Sequence, residues 1–180
     1  MNQKKESATV MSGKMKKENR WMNFKGGKAM IQLVRVDYRL LHGQVAFSWT
    51  AGLGADCILL VSDTLLDDPV RVASVKLAKP PGVKVVVKNI EESINAVQSG
   101  ITDKYKLFVV CETIEGAVRF IKETGTGSLN LGGTRPGKEK KEIAPVVYVS
   151  HEEEKLLDEI KKDGVDIFVQ MIPESKKIKY

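Results

Sequence analysis

His42 is one of only two histidines in a chain of 180 residues, and its neighbours are the groups that imidazole chemistry needs. The run Arg35-Val36-Asp37-Tyr38-Arg39-Leu40-Leu41-His42-Gly43-Gln44-Val45 sets one carboxylate and two guanidinium groups close to the ring. Asp37 can hold one ring nitrogen by a hydrogen bond and leave the other as a nucleophile. Arg35 and Arg39 can offer forked, charge-assisted hydrogen bonds to anionic oxygens. Gly43 permits a close backbone approach, and Gln44 opens a helical pattern whose first N–H groups are free to face an anion. The grouping suits a histidine that handles an anion, a phosphoryl group above all. A helix-capping or core histidine with incidental charged neighbours is the alternative, and residue types alone do not separate the two.

The elements that must position this loop are legible in the apolar patterning. Strands are expected at 31–36, 57–62, 83–88, 105–111, 128–131, 146–149 and 166–171, rich in Val, Ile and Leu. Helices are expected at 44–52, 67–78, 91–99, 114–124 and 151–162. Asp67 or Asp68 before Pro69 marks one helix start, and Ser150 with Glu153 forms a capping box at another. Gly82, Gly100, Gly125 and Gly164 stand where helices should stop. Near-continuous apolar strands alternating with helices mean an α/β fold: an open, mostly parallel sheet of about six to seven strands with helices on both faces. Strand 146–149 follows a short polar link, so an antiparallel or edge placement is expected for it. In such a sheet ligands bind beyond the carboxyl ends of the strands, which is where His42 falls.

Charge narrows the function classes. The chain carries a formal net charge of +6, yet residues 1–29 hold eight Lys/Arg and two acids, leaving 21 of each sign in the remainder. The folded part is therefore neutral and lacks the basic stripe and interleaved aromatics of a nucleic-acid binder. Residues 1–29 read as a disordered basic extension, and 30–180 as a single domain. Lys25-Gly26-Gly27 can be encoded by a purine-rich stretch resembling a ribosome-binding site, so Met30 is expected to be the natural start and 1–29 a translated leader. No apolar run reaches the ~20 residues needed to span a bilayer. Cys57 and Cys111 lie inside apolar strands and read as buried thiols of a reduced protein. No Cys/His cluster has metal-ligand spacing, and neither metal nor cofactor is expected.

Other candidates are weaker. His151 opens a helix among glutamates and reads as a surface residue. Gly52-Leu53-Gly54 follows a helix, so it is no dinucleotide fingerprint. The stretch Gly132-Gly133-Thr134-Arg135-Pro136-Gly137 either closes over phosphate with the help of Arg135 or is an ordinary loop. Asp63, Asp67 and Asp68 suggest carboxylate ligands but equally loop and helix-cap residues. Ser62 and Thr113 are possible donors at strand ends. Glu152–Glu154 and Lys138–Lys141 read as solvated faces.

The segment Val34–Val45 resembles the V-R-[IV]-D-x-R-[LI]-[IL]-H-G-Q-V signature of the enzyme IIB component of the mannose/fructose/sorbose family of bacterial sugar phosphotransferase systems. The likeness extends through Val61-Ser62-Asp63, Asp67-Asp68-Pro69, Leu129-Asn130-Leu131-Gly132-Gly133, Val147-Tyr148-Val149-Ser150 and Pro173. The resemblance implies a phosphoryl relay. His42 would accept the group on Nδ1 from a phosphohistidine of a IIA partner and pass it to a sugar held by IIC/IID membrane components. Asp37 would orient the ring, Arg39 and Arg35 would balance charge, and Gly43 and Gln44 would donate from the backbone. It also implies a cytoplasmic protein peripheral to the permease; the sequence does not fix the oligomeric state, although a homodimer suits this kind of sheet. Tyr38 and Ser62 depart from the family, where Asp and Asn are common, and bear on partner fit. Two other classes stay open: a non-catalytic binding module of the same fold, and nucleic-acid binding through residues 1–29.

Overall fold

The computed structural model describes residues 30–43 and 45–180. The extension 1–29, with its leader reading, and Gln44 lie outside the described residues.

Seven strands form one sheet in the order β3-β2-β4-β1-β5-β8-β9. These are β1 (Met30–Asp37), β2 (Cys57–Val61), β3 (Lys84–Lys88), β4 (Lys106–Cys111), β5 (Ser128–Gly133), β8 (Asp166–Val169) and β9 (Ile178–Lys179). All pairings are parallel except β8 with β9. Strand β1 is central, flanked by β4 and β5, so its carboxyl end emerges mid-sheet.

Helices cover both faces, as the patterning predicts. On one face α3 (Ile90–Gln98), α4 (Ile114–Thr124) and α5 (His151–Lys162) pack on Val34, Val36, Leu59, Val109, Leu129 and Leu131. On the other, α2 (Pro69–Ala78) and the helical turns after His42 cover Leu33, Ile58, Leu60, Phe108 and Val110. Cys57 and Cys111 are free and buried. The start signals act as expected: the Asp68 carboxylate accepts from the Val70 and Arg71 N–H groups, and Ser150 with Glu153 completes a capping box. Gly125 ends α4 with φ +71, a left-handed conformation that a side chain would strain.

Four expectations need correction. The helix expected at 44–52 is a π-helical turn (Val45–Trp49) running into a four-residue helix, α1 (Thr50–Leu53). The Thr50 hydroxyl donates to the Val45 carbonyl five residues back, which suits the wider turn. Residues 147–150 are β7, outside the main sheet, in an antiparallel hairpin with β6 (Lys140–Ala144). Its antiparallel pairing is as expected, and only its place outside the main sheet is not; within that sheet the antiparallel edge strand is β9. Strand β6 reads Lys-Lys-Glu-Ile-Ala and has no apolar alternation to reveal it. That hairpin also removes two groups from the expected solvated faces: Glu153 is buried, and its carboxylate pairs with Lys140 at 2.6 Å. Finally, Gly132 and Gly133 are the last residues of β5 rather than a loop.

Candidate functional site

The His42 loop begins where β1 ends. Leu40 N–H donates to the Asp37 carbonyl at 2.9 Å, closing a tight turn, and Leu40 adopts φ +57. That conformation costs a leucine roughly 1–2 kcal/mol, and the complete burial of its side chain offsets the strain. The turn brings the Asp37 carboxylate and the imidazole together: His42 Nε2 lies 2.9 Å from Asp37 Oδ2. With Nε2 donating, Nδ1 carries the lone pair. The His42 side chain remains 21% exposed, so the ring can be approached from solvent.

Asp37 itself is wholly buried and accepts from several donors. Arg35 Nη2 reaches Oδ2 at 3.1 Å, while Arg39 Nε and the Arg39 backbone N–H both reach Oδ1 at 3.2 Å. Burial alone would raise the carboxyl, but the His42 hydrogen bond and the charge of Arg35 outweigh it and hold its pKa near 2.

The two arginines have different settings. Arg39 is 41% exposed and open to a partner. Arg35 is enclosed: Nη1 donates to Asn130 Oδ1 and to the Gln170 carbonyl, and the guanidinium lies 5.3 Å from the Trp49 ring centroid. Its Nε finds no hydrogen-bond partner among the described residues. The fork that Arg35 was expected to extend to phosphate is thus largely spent inside the protein, on Asp37, Asn130 and Gln170. Gly132 makes this seat possible, since a Cβ there would fall 1.9 Å from Arg35 Cζ.

Asn130 was missed by sequence reasoning. It sits opposite Arg35 in the β1–β5 register, and its amide also reaches the Gln170 carbonyl. A polar residue inside the apolar run Leu129–Leu131, buried on a central strand, is the signal that points to it.

A second polar centre adjoins the loop. A cavity of about 410 Å³ lies at the carboxyl edge, lined among others by Tyr38, Ser62, Asp63, Glu112, Thr113 and Arg135. Glu112, the residue after β4 and also missed, is its hub. Ser62 donates to one carboxylate oxygen together with Thr64; Arg71 and Arg135 approach the other at 2.8 and 3.3 Å. Burial pushes the Glu112 carboxyl up, and Ser62, Thr64 and Arg71 bring it below its ordinary value. Tyr38 links the two centres: Arg39 and Arg135 each place a guanidinium 5.7 Å from its ring centroid. Arg135, 61% exposed, therefore stands at the rim beside Tyr38. Gly43 is exposed, with open space around its α-carbon.

The remaining candidates serve the backbone or lie away from the site, Asp63 and Thr113 doing so from the cavity wall. Asp63 accepts from the Ile90 N–H, Asp68 caps α2, and Thr113 caps α4. His151 is exposed at the start of α5. No cluster of three or more His, Cys, Asp or Glu suited to a metal occurs among the described residues.

Comparison with known proteins follows the same outline. The family described as "PTS system sorbose subfamily IIB component" matches residues 31–180. The chain is 32% identical over 150 residues to the N-acetylgalactosamine-specific phosphotransferase enzyme IIB component 1 of Escherichia coli K12, covering 82% of this chain and 94% of that one. It is 28% identical over 160 residues to the mannose-specific EIIAB component of the same organism, covering 83% of this chain and 47% of that longer one. Among solved structures, manxB from Thermoanaerobacter tengcongensis superposes with a TM-score of 0.74 at 33% identity, covering 83% and 91%.

Two outcomes test this geometry. Gly132→Ala should drive Arg35 from its seat and cost about 3 kcal/mol in urea unfolding; parental stability would mean that the guanidinium has room to move. The second concerns acid. The Asp37 pKa falls from an ordinary 3.8 to about 2 on folding, so its contribution is complete above pH 4 and lost as pH falls towards 2. Unfolding free energies across that window should drop by about 2 kcal/mol on this account, and Asp37→Asn should lack that part of the slope.

Proposed function

Because the chain belongs to the sorbose subfamily of IIB components of the phosphotransferase system, whose members are sugar phosphotransferases, we propose that it carries the phosphoryl group on Nδ1 of His42. The observation that carries this reading is the 2.9 Å contact between His42 Nε2 and the buried Asp37 carboxylate. It fixes the tautomer and turns the nucleophilic nitrogen away from the acid.

In the first transfer the Nδ1 lone pair bonds to phosphorus as the N–P bond of the donor breaks and the electron pair returns to the donor ring. The phosphorylated imidazole, still holding its Nε2 proton, carries positive charge, which the adjacent carboxylate stabilises. In the second transfer a sugar hydroxyl oxygen bonds to phosphorus as the Nδ1–P bond breaks, its electron pair returning to the His42 ring and the hydroxyl proton passing to solvent. Both steps require charge balance around the equatorial oxygens. Arg39, half-exposed and held by Asp37, is the guanidinium able to turn towards them. Arg35 acts from beneath as a positioning residue that keeps Asp37 ionised and in place. Gly43 lies at the helical start that the phosphoryl group would face, and Arg135 reaches the rim past Tyr38.

The donor is a IIA domain bearing a phosphohistidine, and the acceptor is a sugar held by the IIC/IID permease. The mannose-specific relative, named EIIAB and about twice as long as the matched region, supports the IIA link. No helix among the described residues is long and apolar enough to cross a membrane. The sugar itself is of the mannose, sorbose or N-acetylgalactosamine type of the relatives.

Incubation with a phosphorylated general carrier protein and a IIA domain should deposit an acid-labile label on His42. His42→Ala should abolish it; a label that persists there would refute the assignment. Arg39→Ala should leave the fold intact and slow labelling by about 10²- to 10³-fold, in the range of a lost donor to developing negative charge.

A further inference from the structure

The two guanidinium groups on Glu112 are held unequally. Arg71 donates to the carboxylate at 2.8 Å and to the Thr64 hydroxyl at 3.0 Å, and it is 26% exposed. Arg135 donates at 3.3 Å and is 61% exposed. A solvated ion pair of that kind is weak and easily exchanged. Glu112 does not depend on it. Burial pushes the carboxyl up, and Ser62, Thr64 and Arg71 bring it below its ordinary value. With Arg135 gone, Ser62 and Thr64 would still donate to one oxygen and Arg71 to the other.

The same side chain lies beside the His42 loop. Arg135 and Arg39 each stand 5.7 Å from the centroid of the Tyr38 ring, and Arg39 shares the Asp37 carboxylate with His42. The root of Arg135 is fixed. The Gly133 carbonyl accepts from the Tyr38 N–H at 3.1 Å, and the Thr134 N–H donates to the Val146 carbonyl at 3.0 Å. An exchange of partners therefore moves the side chain and not the strand end.

Charge decides which anion holds it. Glu112 offers one negative charge, already opposed by Arg71. A phosphoryl group brings about −1.5 to −2 at neutral pH, with three strong acceptor oxygens. A guanidinium fork fits those oxygens better than one edge of a carboxylate that other donors share.

We propose that Glu112 is a positioning residue for the phosphoryl transfer, parking Arg135 in the unphosphorylated protein and yielding it to the phosphoryl oxygens once His42 is loaded. Arg39 and Arg135 then serve the group together, beside the Tyr38 ring, while Glu112 keeps Arg71. Because Glu112 competes for Arg135, it limits how firmly the phosphoryl group is retained and so keeps it transferable. The inference rests on the phosphorylation of His42 set out above and adds a regulation of that same site.

Two measurements on the full chain test it. With ¹⁵N-arginine, the Nε–H signal of Arg135, identified by its loss in Arg135→Lys, should move when a phosphorylated IIA domain loads His42, while that of Arg71 stays. The second measurement is the equilibrium of phosphoryl exchange with the IIA domain. Arg135→Ala should shift it about tenfold towards the IIA domain, the worth of one charged hydrogen bond. Glu112→Gln should shift it about threefold the other way, the worth of one exposed ion pair. The double variant should match Arg135→Ala, because Glu112 acts only through Arg135. A purely structural Glu112 would instead lower loading, and its effect would persist without Arg135; that result overturns the proposal. So does a loaded His42 with a stationary Arg135 signal, which leaves the phosphoryl reading intact. Should circular dichroism show Glu112→Gln unfolded, the Arg135 signal of the parent decides alone. No label on His42 at all refutes the phosphoryl reading and this proposal with it.

Discussion

A carboxylate withdrawn from water survives only when donors and positive charge surround it, and Asp37 meets that condition with two guanidinium groups, one imidazole and a backbone N–H. Each of these partners is placed by Asp37 in turn. His42 takes its tautomer from the bond, Arg39 takes its direction from it, and the Leu40 turn closes on the Asp37 carbonyl. Removing the carboxylate would leave Arg35 as an uncompensated buried cation, a far larger penalty than one lost hydrogen bond. The site thus has a buried floor and an exposed lip. Arg35, Asn130 and Gly132 form the floor, while Arg39, Tyr38 and Arg135 form the lip.

The sheet supplies that floor. Strand β1 lies between β4 and β5, and parallel register sets Arg35 level with Asn130. The Gln170 carbonyl, just past β8, completes the polar row. A row of polar groups through the middle of an apolar sheet stays in place because each member has a hydrogen-bond partner. Gly132 gives the row its width, since any side chain there would occupy the space of the guanidinium. The neighbouring centre at Glu112 follows the same logic with weaker enclosure: four donors converge on one carboxylate at the end of β4. Tyr38, lying between Arg39 and Arg135, couples the two centres through its ring.

Much of the architecture was readable in advance because parallel strands buried on both faces must be apolar throughout and helices announce their caps. All seven expected strands and all five expected helical regions appear, with ends shifted by a few residues. The failures share a cause. Strand β6 is charged, β9 is two residues long, and neither carries periodicity that a sequence can display. The turn after His42 has helical spacing, which does not distinguish a π turn from an α-helix. Glu153 looks like a solvated acid until the β6–β7 hairpin lays Lys140 against it.

The sequence by itself determined the chemistry available: a histidine, an aspartate and two arginines within one loop at a strand end, with the family signature they compose. It also determined the layered α/β framework, since strand and helix periodicities are local properties. Tertiary structure decided how the work is divided among those residues. Arg35 and Arg39 are alike on paper, yet one is sealed under the sheet edge and the other faces solvent. Asn130, Gly132 and Glu112 became part of the site only through strand register and loop convergence. Burial and distance between residues remote in sequence are products of packing, and packing is the information that a linear pattern does not hold.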